Sequence, residues 1–239
     1  MTSYALSIGV IGGLGPLAGA TFYRHLVEAA GAVDDAGHPE TVLIADPAVP
    51  SRLDHLLGRG PSPLPRLSTV ARRLEGLGCG VLALTSITTH AYYDELRAAV
   101  GVPLVDARTA VAAALARAGV RRPALAGTGP ARRLALLDGP LRAAGLDPRH
   151  PDDPAQHELD ALVREVKAEG VTPGAARRLT RVLAEPWQAD ADALVIACTD
   201  LSPLAEAART GGHDVSRILA RAVLDRARHA APAEGAAPP

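Results

Sequence analysis

An internal repeat at about half the chain length constrains the fold more than any other feature. Segment 13–16 (Gly-Leu-Gly-Pro) recurs as 127–130 (Gly-Thr-Gly-Pro), and each copy follows a short apolar run. Nearly the same spacing separates the apolar segment that ends at Ser86 from the one that ends at Cys198. Such a repeat predicts two copies of one structural unit, with Ser86 and Cys198 at equivalent strand ends.

Apolar runs with the length of β-strands alternate with helical patterns along the chain. This alternation predicts an α/β fold of two pseudo-symmetric, Rossmann-like domains with parallel sheets. The expected strands are 6–11, 42–45, 81–84, 102–105, 124–126 and 193–197. The expected helices are 17–30, 65–77, 91–99, 107–118, 131–144, 156–169, 174–185, 201–210 and 214–230.

Two segments lack a regular pattern. The proline-rich segment 47–65 follows a strand, so we expect a long loop that carries ligand contacts. Residues 231–239 contain too little apolar surface to offset the entropy of ordering, so we expect a disordered tail.

Composition argues against several classes of protein. The formal net charge is −1 and there is no long basic run, so nucleic-acid binding is not expected. No apolar stretch is long enough for a membrane helix and no leader pattern precedes the first strand, which predicts a cytoplasmic protein with small-molecule partners. Cys79 and Cys198 fit neither a disulfide framework nor a metal site. A homodimer is compatible with the sequence.

Ligands of open α/β sheets bind beyond the carboxyl ends of the strands. Several segments with glycine, polar or thiol residues fall at such ends, and two facing domains would enclose them. These segments are 12–16, 46–52, 85–90, 127–130 and 198–200. The active site is therefore predicted in the interdomain cleft.

Cys198 is the strongest catalytic candidate in this cleft. It precedes a predicted helix start, and the positive end of the helix dipole is expected to lower the pKa of the thiol. A buried, inert cysteine is the alternative. His90 is expected either to orient a polar group or to serve packing and capping. Arg52 and Lys167, the single lysine of the chain, either bind a carboxylate or remain solvated.

A dinucleotide site is another use for the first glycine turn. Residues 13–18 match G-x-G-x-x-[GA], and Asp46 ends the next strand as a ribose-binding acid would. However, Asp46 lies farther along the chain than the ~20 residues typical of that motif. Pro16 also removes a backbone N–H, and the turn recurs at Gly127. Tight turns shared by both repeats explain the glycines better, so an oxidoreductase is the least favoured function.

The motifs together resemble the cofactor-independent aspartate/glutamate racemase superfamily, most closely its aspartate racemase branch. The resemblance spans almost the whole chain. The residues that carry it are 11–16, Phe22, Tyr23, 50–52, 88–90, 93–96, Pro103, Gly127, Thr128, Lys167 and 198–201. It implies proton transfer at a substrate α-carbon between two thiols on opposite faces, without pyridoxal phosphate.

The resemblance also implies roles for individual residues. Thr88 and Thr199 would hold the α-carboxylate, and Arg52 and Lys167 would bind the side-chain carboxylate. Cys198 would be one of the two acid–base residues. Further substrate contacts are expected from Gly13, Thr89, Thr128 and Asp200. The C-terminal helix would return to the first domain, which gives domains of 1–104 with 214–239 and of 105–213.

Some positions depart from the family pattern. Ser86-Ile87-Thr88 stands where Cys-Asn-Thr is typical, so the first thiol and an amide are missing. Asp200 replaces a glutamate, and Leu219 replaces a histidine. A hydroxyl is a much weaker acid than a thiol, whose pKa is ~8.5. It needs an adjacent base, and His90 is the candidate.

We therefore expect a PLP-independent, racemase-like isomerase acting at the α-carbon of a small acidic amino acid or related dicarboxylate. Cys198 would be the base or acid, and Ser86 a weak partner assisted by His90, so that proton exchange is slow or one-sided. Two alternatives stay open. One is a decarboxylase of a malonate-type acid that uses Cys198 alone, as relatives that decarboxylate arylmalonates do; the other is a non-catalytic protein that binds small acids.

Overall fold

The computed structural model describes residues 4–229 and contains the α/β fold with parallel sheets that the sequence predicts. Ile8 of the first sheet pairs with Thr41 on one side and Val81 on the other, so its strand is central. The strand order of the first sheet is β2 (Thr41–Ala45), β1 (Ile8–Gly12), β3 (Val81–Leu84) and β4 (Leu104–Val105). The order of the second sheet is β5 (Pro123–Ala126), β6 (Ala193–Ile196) and β7 (His213–Asp214).

Helices connect the strands, as parallel sheets require. Those of the first half are α1 (Pro16–Ala30), α2 (Arg52–Leu56), α3 (Leu64–Gly76), α4 (Tyr93–Ala98) and α5 (Ala107–Arg117). Those of the second half are α6 (Gly129–Arg133), α7 (Asp138–Ala143), α8 (Asp153–Glu169), α9 (Pro173–Val182), α10 (Ser202–Ala208) and α11 (Val215–His229). None of the helices within residues 4–229 combines the length and the apolar character needed to cross a bilayer.

The largest apolar cluster joins the two sheets. It contains Ile8 and Phe22 from the first half and Leu125 and Val195 from the second. The C-terminal helix α11 adds Val223 to this cluster and packs against both α1 and α5. This shared core holds the carboxyl ends of the two sheets in a fixed relation. The boundaries at 104 and 214 stay a prediction, because α5 and α11 contact each other across them.

The structure corrects three predicted segments. The expected loop 47–65 contains α2, which begins where the hydroxyl of Ser51 accepts a hydrogen bond from the backbone N–H of Asp54. The expected helix 131–144 is two helices, and Ala135 between them has a φ of 49°. Strand β7 precedes α11 and is only two residues long, too short for a strand pattern in the sequence. The predicted tail 231–239 lies outside the described residues.

Candidate active site

The carboxyl ends of both sheets open into one cleft with a volume of ≈ 540 Å³. This volume is within the range of roughly 300–1,000 Å³ that is typical of small-molecule sites. Most of the predicted site residues line it. They are Gly13, Arg52, Ser86, Thr88, Thr128, Lys167, Cys198, Thr199 and Asp200.

Ser86 and Cys198 occupy equivalent places in the two halves. Strand β3 ends at Leu84 and strand β6 ends at Ile196, so each of the two residues lies two positions beyond its strand. Both line the cleft. The internal repeat therefore brings a hydroxyl and a thiol into the same site.

The thiol of Cys198 is protonated at neutral pH. Burial, together with the nearby carboxylate of Asp200, raises the pKa of Cys198 to about 12. The backbone N–H groups of Asp200 and Leu201 and the charge of Lys167 act in the opposite direction but are weaker. The expectation that a helix dipole lowers this pKa is wrong, because α10 begins only at Ser202 and burial dominates.

His90 is a structural residue and not the base that was expected beside Ser86. The ring is 1% exposed, and both of its nitrogens bind backbone groups. Nε2 accepts a hydrogen bond from the N–H of Ala107 at 3.1 Å, so Nδ1 carries the proton and donates it to the Ser86 carbonyl at 2.9 Å. Burial lowers the pKa of His90 to about 4. The neutral ring positions the Ser86 backbone and has no free nitrogen for the hydroxyl.

Threonine hydroxyls from the two halves meet in the cleft. Oγ1 of Thr88 lies 3.3 Å from Oγ1 of Thr128. Thr128 also caps α6, because its hydroxyl accepts a hydrogen bond from the N–H of Ala131. Thr89, predicted to bind substrate, is fully buried, and its hydroxyl has no partner within residues 4–229. Thr89 does not line the cleft, so it is removed from the predicted site.

Arg52 is a largely buried cation at the start of α2. One guanidinium nitrogen, Nη2, donates a hydrogen bond to the carbonyl of Leu14 at 2.6 Å. Its Nε is buried and has no hydrogen-bond partner in the part of the chain that the structure describes. Burial lowers the pKa of Arg52, and the carboxylate of Asp200 partly opposes this shift. A buried N–H donor without a partner is costly.

Lys167 and Asp200 form an ion pair beside the first glycine turn. Nζ of Lys167 lies 2.7 Å from Oδ2 of Asp200. A Cβ at Gly15 would lie 2.1 Å from Oδ1 of Asp200 and 3.0 Å from Nζ of Lys167. Only glycine leaves room for the pair, so the turn of the first half and the polar groups of the second are mutually fitted.

Comparison with known proteins decides the family. A model of the Asp/Glu/hydantoin racemase family matches residues 11–218. The chain belongs to this family. It is an amino-acid racemase-like enzyme, and the cleft between its parallel sheets is the place where its repeated glycine turns and strand ends converge.

Individual relatives agree with this assignment of the racemase-family chain. It is 24% identical over 199 residues to the broad-specificity amino-acid racemase RacX of Bacillus subtilis, which covers 82% of this chain and 86% of that protein. It is 25% identical to the aspartate racemase of Picrophilus torridus, with a TM-score of 0.82 over 92% of this chain and 94% of that one. An aspartate racemase homologue from Pyrococcus horikoshii shares the fold at 23% identity, with a TM-score of 0.74 over 92% and 98% of the two chains.

Several residues of this racemase-family site were missed by sequence reasoning. Asp160 of α8 accepts a hydrogen bond from the N–H of Gly129 at 2.9 Å, and Arg133 and Arg164 line the cleft beside it. The sequence did contain a signal for Asp160 and Arg164, because their spacing from Lys167 places all three residues on one face of α8. Leu14, Ile87 and Pro130 lie in motifs that the sequence analysis singled out, whereas Val163 carries no such signal. The apolar residues that line the cleft are Leu14, Pro47, Val49, Leu53, Leu57, Ile87, Pro130 and Val163.

Proposed function

We propose that the protein is a cofactor-independent isomerase that moves a proton at the α-carbon of a small carboxylic acid. Acidic amino acids and related dicarboxylates are the first substrates to consider. The observation that carries this proposal is the placement of Ser86 and Cys198 at equivalent strand ends of one cleft. Two groups in that arrangement can approach opposite faces of a substrate carbon.

Hydroxyl and cationic groups would bind the substrate. The hydroxyls of Thr88 and Thr128, together with Thr199, are suited to the α-carboxylate. The guanidinium of Arg52, which lines the cleft, is suited to a second anionic oxygen, because a charged donor forms strong hydrogen bonds with carboxylates. Lys167 would assist only by sharing its charge between the ligand and Asp200.

The two faces of the site differ in acid–base strength. Cys198 starts as a protonated thiol, so its first act is to donate a proton to a carbanion-like centre. Ser86 would have to remove the opposite proton, but His90 is bonded to the backbone and cannot activate it. Cys198 can act as a base only after its thiol has lost its proton. This requires the charges around it, a bound anion and Lys167, to rearrange first. We therefore expect proton exchange that is slow and confined largely to one enantiomer.

The test is the incorporation of deuterium from solvent at the α-carbon, measured by NMR. L- and D-aspartate and L- and D-glutamate are incubated separately with the protein in deuterated buffer. We expect exchange from one enantiomer, and we expect Cys198→Ala to reduce it by about 100-fold or more. Exchange that survives in Cys198→Ala would refute the assignment of Cys198.

A second function is favoured by the protonated state of Cys198 and by the engagement of His90 with the backbone. Decarboxylation of a malonate-type acid generates the carbanion by loss of carbon dioxide, so one proton donor is sufficient. Release of carbon dioxide from substituted malonates, lost in Cys198→Ala, would support this function. Binding of acids without either reaction would instead indicate a non-catalytic binding protein.

A cytoplasmic location and a homodimer stay predictions.

A further inference from the structure

The first half of the chain contributes several apolar side chains to the cleft. Val49, Leu53, Leu57 and Ile87 are among them, and we use the term apolar lining for these four residues. Val49 and Ile87 are buried, whereas Leu53 and Leu57 keep 40% and 42% of their surface exposed. Large apolar side chains exposed within a concave site are available to a ligand, because covering them releases water.

The helix that carries Leu53 is anchored at both ends. At its start, the hydroxyl of Ser51 caps α2 and Arg52 donates a hydrogen bond to the Leu14 carbonyl. Toward its end, Nδ1 of His55 lies 2.7 Å from the hydroxyl of Tyr92. Leu57 directly follows α2, and its backbone N–H donates a hydrogen bond to the Leu53 carbonyl at 3.0 Å, so the two residues lie one helical turn apart. Their exposure toward the cleft is therefore a property of the fold.

The charged groups in the cleft also favour a ligand that carries an apolar group. The ammonium of Lys167 already binds Asp200, so a distal carboxylate would have to compete with an internal one. Arg52 lines the same cleft, and its guanidinium suits a single anionic group. Ile87 supplies a buried hydrocarbon side chain to the same cleft. Arg133 and Arg164 also line the cleft, but they belong to the second half of the chain, whereas the apolar lining belongs to the first.

We propose that the preferred substrate carries an apolar substituent on its α-carbon and that Leu53 and Leu57 are the residues that select it. This inference rests on the proposed function, which supplies the carboxylate site and the reacting carbon. The substrate class is then an α-substituted acid with an aliphatic or aromatic side chain. Aspartate would bind less well, because its second carboxylate would face Leu53 and Leu57 without a hydrogen-bond partner.

The test compares aspartate, leucine and phenylalanine, which share one α-centre and differ only in the side chain. Calorimetry with the full-length protein measures binding, and deuterium exchange measures chemistry on the same three acids. We expect leucine or phenylalanine to bind at least tenfold more tightly than aspartate. The double variant Leu53→Ala/Leu57→Ala should reduce this preference to less than threefold. Leu134→Ala is the control, because Leu134 has the same exposure of 42% but lies outside the cleft lining.

The possible outcomes distinguish a failure of the apolar-substrate inference from a failure of the proposed isomerase function. Exchange or binding with aspartate that equals or exceeds that of the apolar acids overturns the inference and leaves the isomerase intact. An equal loss of preference in Leu134→Ala also overturns it, since the effect would not be local. Apolar acids that bind with the expected preference but show no exchange refute the isomerase and uphold the apolar site. No binding of any of the three acids overturns both.

Discussion

The ammonium of Lys167 lies 2.7 Å from the carboxylate of Asp200, and this contact ties α8 to the segment that carries the thiol of Cys198. The two charges act on the thiol in opposite directions, because Asp200 raises the pKa of Cys198 and Lys167 lowers it. The reactivity of the thiol is therefore set by a balance between burial and an adjacent ion pair.

Removal of the Asp200 charge is expected to make Cys198 more reactive. In Asp200→Asn, the Lys167 charge is no longer offset, so the pKa of the thiol falls and alkylation by iodoacetamide at pH 8 becomes severalfold faster. The measurement uses a Cys79→Ser background, so that Cys198 is the one cysteine of the chain. Asp160→Asn is the matched control, since Asp160 lines the same cleft but is not among the leading causes of the shift in this pKa. Equal alkylation rates in Asp200→Asn and Asp160→Asn would contradict the view that Asp200 and Lys167 set the pKa of Cys198.

Gly15→Ala is expected to disrupt the site. The added Cβ would lie 2.1 Å from Oδ1 of Asp200, so the ion pair must move. We expect a loss of about 1–3 kcal/mol in the free energy of unfolding, typical of overpacking, and weaker binding of acids. Gly139→Ala is the control, because a Cβ there meets no atom within 4 Å. Urea denaturation and calorimetry provide the two readouts, and a Gly15→Ala protein that matches Gly139→Ala in both would show that the fit is unimportant.

The lowered pKa of the buried His90 ring leads us to expect that the folded protein loses stability in acid. Its folded pKa of about 4 lies below the ordinary value near 6.5, so the unfolded chain binds the proton more readily. The stabilisation is present above pH 6.5 and is lost as the pH falls from 6.5 towards 4, by an amount on the order of a few kcal/mol. His90→Asn should reduce the difference in unfolding free energy between pH 7 and pH 5.

The control for this pH dependence is His157→Asn, because His157 is exposed on α8. Urea denaturation at the two pH values should give His157→Asn the same difference as the parent. If His90→Asn also keeps the full difference, then another group is responsible for the acid sensitivity.

Ser86→Cys is expected to restore exchange on the second face. A thiol ionises several units closer to neutral pH than a hydroxyl, so it can accept and return a proton where Ser86 cannot. We expect deuterium exchange from the slow enantiomer to rise at least roughly tenfold. The measurement follows each enantiomer separately in deuterated buffer, and Ser86→Ala is the matched control. No increase in Ser86→Cys would rule out a racemase impaired only at this residue and would favour the decarboxylase or the binding protein.

The sequence by itself determined the repeat, the alternation of strands and helices and the family. It also placed Ser86 and Cys198 at equivalent strand ends, because periodicity, glycine turns and strand length are local properties of the chain. The tertiary structure decided what those residues can do. Burial and the ion pair, both long-range effects, made the Cys198 thiol a weak acid. The ring nitrogens of His90 were bound to backbone groups, Thr89 was buried outside the cleft lining, and α2 formed within an expected loop. None of these outcomes leaves a local pattern, since each depends on which distant groups fill the space around a side chain.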